Sequence, residues 1–592
     1  MAYYRAVTLL HDWSDEHRTA SEVFIMQTSN KAATQADVIV VGSGASGGWA
    51  AKRLCEAGVK VTLLDAGRAH GGGDYREHMQ PFELKYRDRA PEVIRRTRPR
   101  QKDCYACTEY NYDWFVNDLE EPYTTPDDKP FSWQGRMRIV GGRTNVWGRQ
   151  SYRLSELDFK AASFDGYGED WPIGHADLAP YYDIVEEYVG ITGIAEGAYE
   201  LPDSRFLPPM GMRCAEVRLR ARAKEKLGRI VTLGRAAHLT RAKNGRAPCH
   251  YCGPCERGCA TKSYFNAAFT TIPDALATGN CTLITNAMVY QVLMDAGRNR
   301  ARGILYIDRN TREAREIHAP VVVLCAQALE STRILFNSAT REYPKGLANS
   351  SGVLGHYLQD HLWVGGGASG EFPDLPEKPS LDGPHRPNAL YVIRFRNTKK
   401  EPNYKKFIRG YGYQGGAGVG FNMRAPGFGE AFKRGVTLNP VTTLGLSGFG
   451  EALPRWENFV ELDPNVLDVF GIPVLRIHMT WSDNERAMIP DMAESAAELL
   501  DAAGAKNIRP WMVPDRIPGM GIHEVGVARM GNDPKKSVLN QFQQSHDVKN
   551  LFVMDGSCFV SSGCQNPTLT IMALAVRSTD YLLQEMKKGT LG

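Results

Sequence analysis

The stretch "ADVIVVGSGASGGWAAKRLCEAGVKVTLLDAGR", from Ala36 to Arg68, leaves the chain few choices of fold. Val38 to Val41 is a β-branched run and reads as a strand. Gly42, Ser43, Gly44, Ala45, Ser46 and Gly47 spell G-x-G-x-x-G, and a helix follows to about Glu56. "VKVTLLDAG" is a second strand ending on Asp65. The arrangement suits a dinucleotide. Gly42 permits the tight turn, Gly44 lets the backbone approach a pyrophosphate, and Gly47 lets helix and strand pack closely. The helix N-terminus then turns its free N–H groups toward the phosphates. Asp65, 23 residues after Gly42, can accept from ribose hydroxyls. In this β-α-β setting the motif is specific for a Rossmann-like α/β domain. It does not by itself separate NAD from FAD.

A chain of 592 residues can bury two domains or one large composite domain. Its formal charge of +4 is nearly balanced, which argues against a nucleic-acid binder. The basic run "RDRAPEVIRRTRPRQK", Arg87 to Lys102, reads as a solvated loop in preference to a docking patch. No apolar run reaches the roughly 18 residues of a membrane helix. The first residues are polar, with too short an apolar centre for a signal peptide, and Met26 could be the true start. Twelve cysteines at this length are too few for a disulfide scaffold.

Further motifs lie in order along the chain: "GRMRIVGGRTNVWGRQSYRL" from Gly135, "NSSGVLGHYLQDH" ending at His361, "GIHEVGVARMG" from Gly521, and "NLFVMDGSCFVSSGCQNPTLTIMALAVRSTDYLL" from Asn550. With the glycine-rich turn, they make the chain resemble the glucose–methanol–choline (GMC) family of FAD oxidoreductases, from about Asp37 to the C-terminus. The resemblance implies FAD as cofactor and a discontinuous, Rossmann-like FAD-binding domain with a second, sheet-based substrate domain. The expected boundaries are an N-terminal extension at 1–35, FAD-binding segments at 36–160, 226–360 and 515–592, and substrate-binding segments at 161–225 and 361–514. Within 361–514, "NALYVIRFR" and "VLRIHMTW" alternate as strands do.

The resemblance also implies site residues. Gly142, Asn145 and Trp147 would line the flavin, and Asp555, Gly556 and Thr568 would complete its site from the C-terminal segment. The helix starting near Thr568 could turn its N-terminus to the flavin's pyrimidine carbonyl. Some pyranose-oxidising relatives link flavin covalently through a histidine where this chain has Val146, so FAD is expected to be dissociable. His523 and Asn566 match the family's catalytic pair. Taken singly, His523 reads as a structural histidine and Asn566 as a helix cap before Pro567; as a pair they read as catalytic. A neutral imidazole can take the hydroxyl proton while a hydride leaves carbon for flavin N5, and an amide can hold the same oxygen.

"CHYCGPCERGC" sits oddly in a flavoprotein. Cys249, Cys252, Cys255 and Cys259 follow C-x₂-C-x₂-C-x₃-C inside a cysteine-rich loop at 247–262. A cuboidal iron–sulfur cluster, [4Fe-4S] or [3Fe-4S], can be wrapped by a thiolate about every third residue. A zinc site usually joins two separated cysteine pairs, and close neighbours form disulfides poorly, but both stay as alternatives. Cys259 is the open ligand, because Ala260 and not proline follows it. Cys104 and Cys107 read as loop thiols, further ligands or a disulfide, and Cys558 and Cys564 as a conceivable disulfide.

An iron–sulfur relay suits a dehydrogenase that feeds a one-electron carrier. The resemblance extends to bacterial sugar or glycoside dehydrogenases whose catalytic subunit carries such a cluster. It implies a small subunit, a cytochrome-type acceptor, and either a cytoplasmic location or co-export to the periplasm with a signal-bearing partner. The expected reaction is oxidation of a secondary hydroxyl of a sugar or glycoside, most narrowly at C3. The alternatives are a cluster-free oxidase using oxygen and a non-redox lyase on the same fold.

Overall fold

The computed structural model describes residues 36–70, 74–89, 92–295, 297, 299–375, 385–420, 427–438 and 440–591. The expectations for the N-terminal extension, Met26 included, lie outside the described residues.

The first strand, β1 (Val38–Val41), is buried at every residue, as a strand covered on both faces must be. Helix α1 (Ala45–Glu56) follows, then β2 (Val61–Leu64). β3 (Cys281–Ile284), β4 (Val321–Leu324) and β5 (Leu551–Val553) complete a parallel sheet of order β5-β4-β1-β2-β3. Its strands therefore come from three distant parts of the chain. At the turn after β1, Gly42 has φ +95°, which few side chains tolerate. A Cβ on Gly47 would stand 1.8 Å from the Gly42 carbonyl oxygen, so only glycine lets α1 seat here. The C-terminal helix, Thr568–Lys588, packs beside α1 through Ala575 and Leu582. Asp580 on it pairs with Arg53 on α1 at 2.6 Å.

A second sheet has six strands, ordered Lys506–Met512, Leu362–Glu371, Val441–Gly450, Tyr411–Gly420, Leu390–Val392 and Val231–Leu233. All neighbours are antiparallel. The long helix Asp483–Ala502 covers one face and shares its core with Leu444, Leu446 and Ala368. Val231–Leu233 falls in the segment assigned to the FAD domain from sequence, yet it forms the edge of this second sheet. "VLRIHMTW" does form a strand, Pro473–His478, but it pairs with Phe459–Leu467 in a separate two-stranded sheet. The basic run holds a short helix, Glu92–Thr97, where a loop was expected; Ile94 anchors it and Arg95 and Arg96 stay exposed.

Candidate active site

A cavity of about 640 Å³ opens at the carboxyl ends of the parallel strands, where Val41, Leu64, Asp65, Cys325 and Asp555 reach it. This is where open α/β sheets bind ligands. The six-stranded sheet forms part of the facing wall through Trp363, Gln414 and Phe449.

On the sheet side, Gly42, Ser43, Gly44, Ala45, Asp65, Gly142, Trp147, Asp555, Gly556 and Thr568 line the cavity as expected from sequence. Gly44 caps α1 with no side-chain hydrogen bond, so the first-turn N–H groups are free to meet an anion. The nearest atom to a Cβ built on Gly44 is 3.9 Å away, so a side chain would project into the space that its absence leaves open. Asp65 accepts from the Ser43 backbone at 3.0 Å and the Gly67 backbone at 2.7 Å, tying the turn to the end of β2. Burial pushes its carboxyl above the usual range, against the pull of these donors. The Ser43 hydroxyl is a third donor, at 2.5 Å; a carboxylate has about four acceptor positions, so one remains for a hydroxyl. These features fit the diphosphate and ribose of FAD.

Two expected residues sit differently. Gly47 supports the turn from behind without lining the cavity. Asn145 turns away from it: its amide donates to the carbonyls of Val140 and Gly142, and its oxygen accepts from Asn266 at 2.8 Å. It fixes the shape of the Gly142–Asn145 turn while Trp147 reaches the cavity. Val146 is buried at the cavity wall. No covalent carbon–nitrogen link can form from valine, so acid precipitation should leave yellow FAD in the supernatant; flavin retained in the pellet would contradict this.

His523 and Asn566 come together although 43 residues separate them, with Asn566 Nδ2 lying 3.3 Å from His523 Nε2. Their hydrogen bonds fix which atoms carry protons. His361 Nε2 lies 3.0 Å from the Gly563 carbonyl, which only accepts, so His361 carries its proton there. The Nδ1 of neutral His361 is then bare and accepts from His523 Nδ1–H at 3.0 Å. His523 is left with a bare Nε2 on the side of Asn566. The Asn566 amide is fixed likewise, since its oxygen accepts from Gln414 Nε2 at 2.7 Å. Its N–H group therefore points to His523. Asn566 is not the helix cap; Pro567 holds that position with no side-chain hydrogen bond.

Burial, then His361 and the Arg143 charge, keeps the His523 ring well below the ordinary histidine range. Burial pushes His361 down to about 4. Both shifts favour the neutral rings that the hydrogen bonds above require. Asp360 receives the N–H groups of Gly521 and His523, at 2.9 Å each, and so holds the backbone of the histidine loop. Burial, helped by the Glu524 charge, raises its carboxyl to about 7. Arg143 pairs with Glu524 at 2.6 Å and donates to the Ile522 carbonyl at 3.0 Å, bolting the flavin-side turn to the same loop.

His361 and Gln414 were missed as site residues from sequence. His361 closes a motif that was noticed, but nothing local marks it as the partner of a ring 162 positions away. His361→Phe removes the acceptor for His523 Nδ1–H. It should slow anaerobic flavin reduction by roughly 10- to 100-fold with FAD retained, a misplacement effect. A wild-type rate in stopped-flow absorbance would remove His361 from the relay.

Cys249 and Cys252 are half-buried, and Cys255 and Cys259 are buried against Tyr264 and Phe269. The sulfurs of Cys249 and Cys259 accept from the N–H groups of Tyr251 and Ser263, at 3.4 and 3.2 Å. Among the described residues, no three His, Cys, Asp or Glu side chains stand as a group able to hold a metal ion. None of the twelve cysteines forms a disulfide. Cys104 and Cys107 are buried beside the cavity wall, and burial pushes Cys104 up to about 11. Cys558 takes a hydrogen bond from Gln543 at 3.1 Å, whereas Cys564 lies 3.8 Å from the Tyr391 hydroxyl, so the two have separate neighbours.

One cavity thus holds a glycine-rich turn with free N–H groups on one side and the paired His523 and Asn566 on the other. The chain belongs to the GMC oxidoreductase family: its N-terminal family model matches residues 36–363 and its C-terminal one residues 454–575. The family implies FAD, which the cradle fits, and the protein is an FAD-dependent oxidoreductase of alcohol groups. It is 32% identical to 2-methyl-1,2-propanediol dehydrogenase of Mycolicibacterium austroafricanum, over 93% of this chain and 95% of that protein. It is 26% identical to the fructose dehydrogenase large subunit of Gluconobacter japonicus, over 94% and 99%. The formate oxidase of Aspergillus oryzae RIB40 shares the fold, with a TM-score of 0.59 at 15% identity, over 94% of this chain and 100% of that one. No helix among the described residues is long and apolar enough to cross a membrane.

Proposed function

We propose that the protein is a dehydrogenase that oxidises a secondary hydroxyl of a sugar or glycoside, most narrowly at C3, and releases its electrons through an iron–sulfur group on the cysteine loop. The observation that carries the first half is the bare His523 Nε2 held beside Asn566 by the His361 relay. The substrate hydroxyl proton moves to His523 Nε2. Asn566 Nδ2–H donates to the same oxygen, and Gln414 keeps that amide from turning. Bound FAD supplies the acceptor for the hydrogen and two electrons that leave carbon. Gly42, Ser43, Gly44, Asp65 and Asp555 would hold the nucleotide, and Trp147 with the Thr568 helix end would flank the flavin.

Polar groups on the cavity wall favour a polyhydroxylated substrate. Arg386 is fixed by both oxygens of Glu216, at 2.7 and 2.8 Å, and Asn388 has a buried side-chain oxygen without a hydrogen-bond partner. A small diol is the second reading, favoured by the relative that acts on 2-methyl-1,2-propanediol.

The relay half rests on the donor set. Cys249, Cys252, Cys255 and Cys259 present four sulfurs on one short loop, two of them already receiving backbone N–H groups of the kind that surround cluster sulfurs. The fructose dehydrogenase relative is a large subunit, which supports a small partner subunit, and a one-electron carrier of cytochrome type is the matching acceptor. Iron and labile-sulfide analysis tests this half: both should be present, and their absence would leave an oxygen-using oxidase. A panel of fructose, gluconate, glycosides and 2-methyl-1,2-propanediol, mixed anaerobically, tests the substrate. Bleaching by the diol alone would overturn the sugar assignment.

The base also sets a pH profile. Because the folded protein depresses the His523 pKa, its proton-accepting form persists as pH falls through the ordinary histidine range. Flavin reduction at saturating substrate should therefore stay level from about pH 8 to about pH 6. A loss centred near 6.5 would mean that His523 is not held as described.

A further inference from the structure

Ile522 is held in a backbone conformation that its side chain disfavours. Its φ is +58°, in the left-handed region where a β-branched residue is an outlier. Such strain persists only where the surroundings enforce it, and it gathers at functional sites. Ile522 directly precedes His523, so its backbone angles set where the imidazole stands.

The neighbours of Ile522 hold it there. Asp360 clasps the peptide groups on either side: its Oδ2 accepts from the Gly521 N–H and its Oδ1 from the His523 N–H, at 2.9 Å each. The Ile522 N–H donates to the Gly519 carbonyl at 3.2 Å, and its carbonyl accepts from Arg143 Nη1 at 3.0 Å. The side chain seats against Gly135, where a Cβ would stand 2.7 Å from Ile522 Cγ2. The clasp is itself anchored. Asp360 is fully buried, and beside it Gln359 exchanges both backbone hydrogen bonds with Val525, at 3.0 Å each. On its other side stands His361, whose Nδ1 meets His523 Nδ1 at 3.0 Å. One short segment, Gln359 to His361, therefore fixes both the backbone of His523 and the rotation of its ring.

We infer that Asp360 is a positioning residue for the reaction: its carboxyl catches the strained Ile522 turn and so aims the bare His523 Nε2 at the substrate hydroxyl. This rests on the reading of His523 as the base. Asp360 does not line the cavity, and it takes no proton in the reaction. A protonated carboxyl keeps acceptor capacity, so the catch does not depend on charge. Asparagine, in contrast, replaces one acceptor by a donor that faces an N–H group.

Asp360→Asn, made in the parent and in Ile522→Gly, tests the catch by anaerobic stopped-flow flavin reduction. The probe is whichever of fructose, gluconate, the glycosides and 2-methyl-1,2-propanediol bleaches the parent fastest. Asp360→Asn should keep FAD and slow the limiting rate roughly 10- to 100-fold, while the concentration for half-saturation stays within about threefold. Glycine takes a positive φ without strain, so the turn then needs less help from the catch. On the Ile522→Gly background the same change should cost at least about fivefold less, a coupling expected of neighbours that share one strained unit. Equal losses on both backgrounds would overturn the inference, as would a parent rate in Asp360→Asn. Loss of FAD together with rate, the same on both backgrounds, would mark a purely structural residue. If Asp360→Asn does not fold, Gly521→Ala displaces the same carboxyl, because its Cβ would stand 2.6 Å from Asp360 Oδ1; its loss should shrink on the Ile522→Gly background too, and a loss that does not shrink would overturn the inference equally. A parent rate in His523→Ala, or a parent flavin that no probe bleaches, would instead overturn the underlying base reading.

Discussion

His523→Ala should retain FAD and its visible spectrum but reduce its flavin roughly 10²- to 10⁴-fold more slowly under anaerobic conditions, the usual range for losing a general base. The FAD cradle is built from the β1–α1 turn, Asp65, Asp555 and Gly556, whereas the His523 ring hydrogen-bonds to His361 and Asn566. The relay, in contrast, ends on that ring. Without it the His361 Nδ1 acceptor loses its donor, and the hydroxyl proton has no neutral nitrogen to accept it. Asn566→Ala should slow the reaction less, because the amide positions the oxygen without taking its proton. The comparison is internal. If the two variants were equally slow, the proton would be leaving by a group other than His523, and wild-type reduction in His523→Ala would end the assignment.

If the cysteine loop holds the proposed iron–sulfur group, Cys252→Ser should lose most of its iron while keeping FAD. The serine hydroxyl is a poor replacement for a thiolate ligand, and the glycine-rich turn at Gly42–Gly47 is far in sequence from the cysteine loop. Substrate should still bleach the flavin in this variant, since His523, Asn566 and the cavity are untouched. Turnover with a cytochrome-type acceptor should collapse, whereas a small two-electron dye that enters the cavity should be reduced nearly as fast as by the parent. The ratio of the two activities is the readout. Iron loss with an unchanged ratio would mean that the loop's metal group is structural and carries no electrons.

The parts of this account legible in the sequence are those whose physics is local. The turn at Gly42–Gly47 is one: its spacing, the preceding Val38–Val41 run and the close of β2 next to Asp65 act within one β-α-β unit. The helix from Thr568 is another, marked by the proline before it and a long regular run after it. His523 and Asn566 were legible only as a matched pair through family resemblance, because each taken alone has an ordinary structural reading. What the sequence hid was juxtaposition. His361 and Gln414 reach the site from the end of a helix-to-strand connection and the middle of an antiparallel strand. No periodicity records which of them will face one another. Asn145 shows the converse, since a polar residue in a flavin-side motif is consumed by its own turn. Val231–Leu233 is too short to reveal that it closes the edge of the second sheet, because pairing with Leu390–Val392 settles its place.

The central claim is that one cavity holds a sugar hydroxyl between His523 and the flavin, and that electrons then move on to the cysteine loop. Anaerobic stopped-flow mixing of the native protein with fructose, gluconate and a set of glycosides tests it most directly, with flavin bleaching followed by absorbance and the iron–sulfur signal by freeze-quench resonance. The account predicts that at least one sugar bleaches the flavin in a first phase, that the iron–sulfur signal follows it, and that the His523→Ala protein loses the first phase and with it the second. Flavin that stays oxidised with every sugar, or an iron–sulfur signal that never changes after the flavin bleaches, would contradict it.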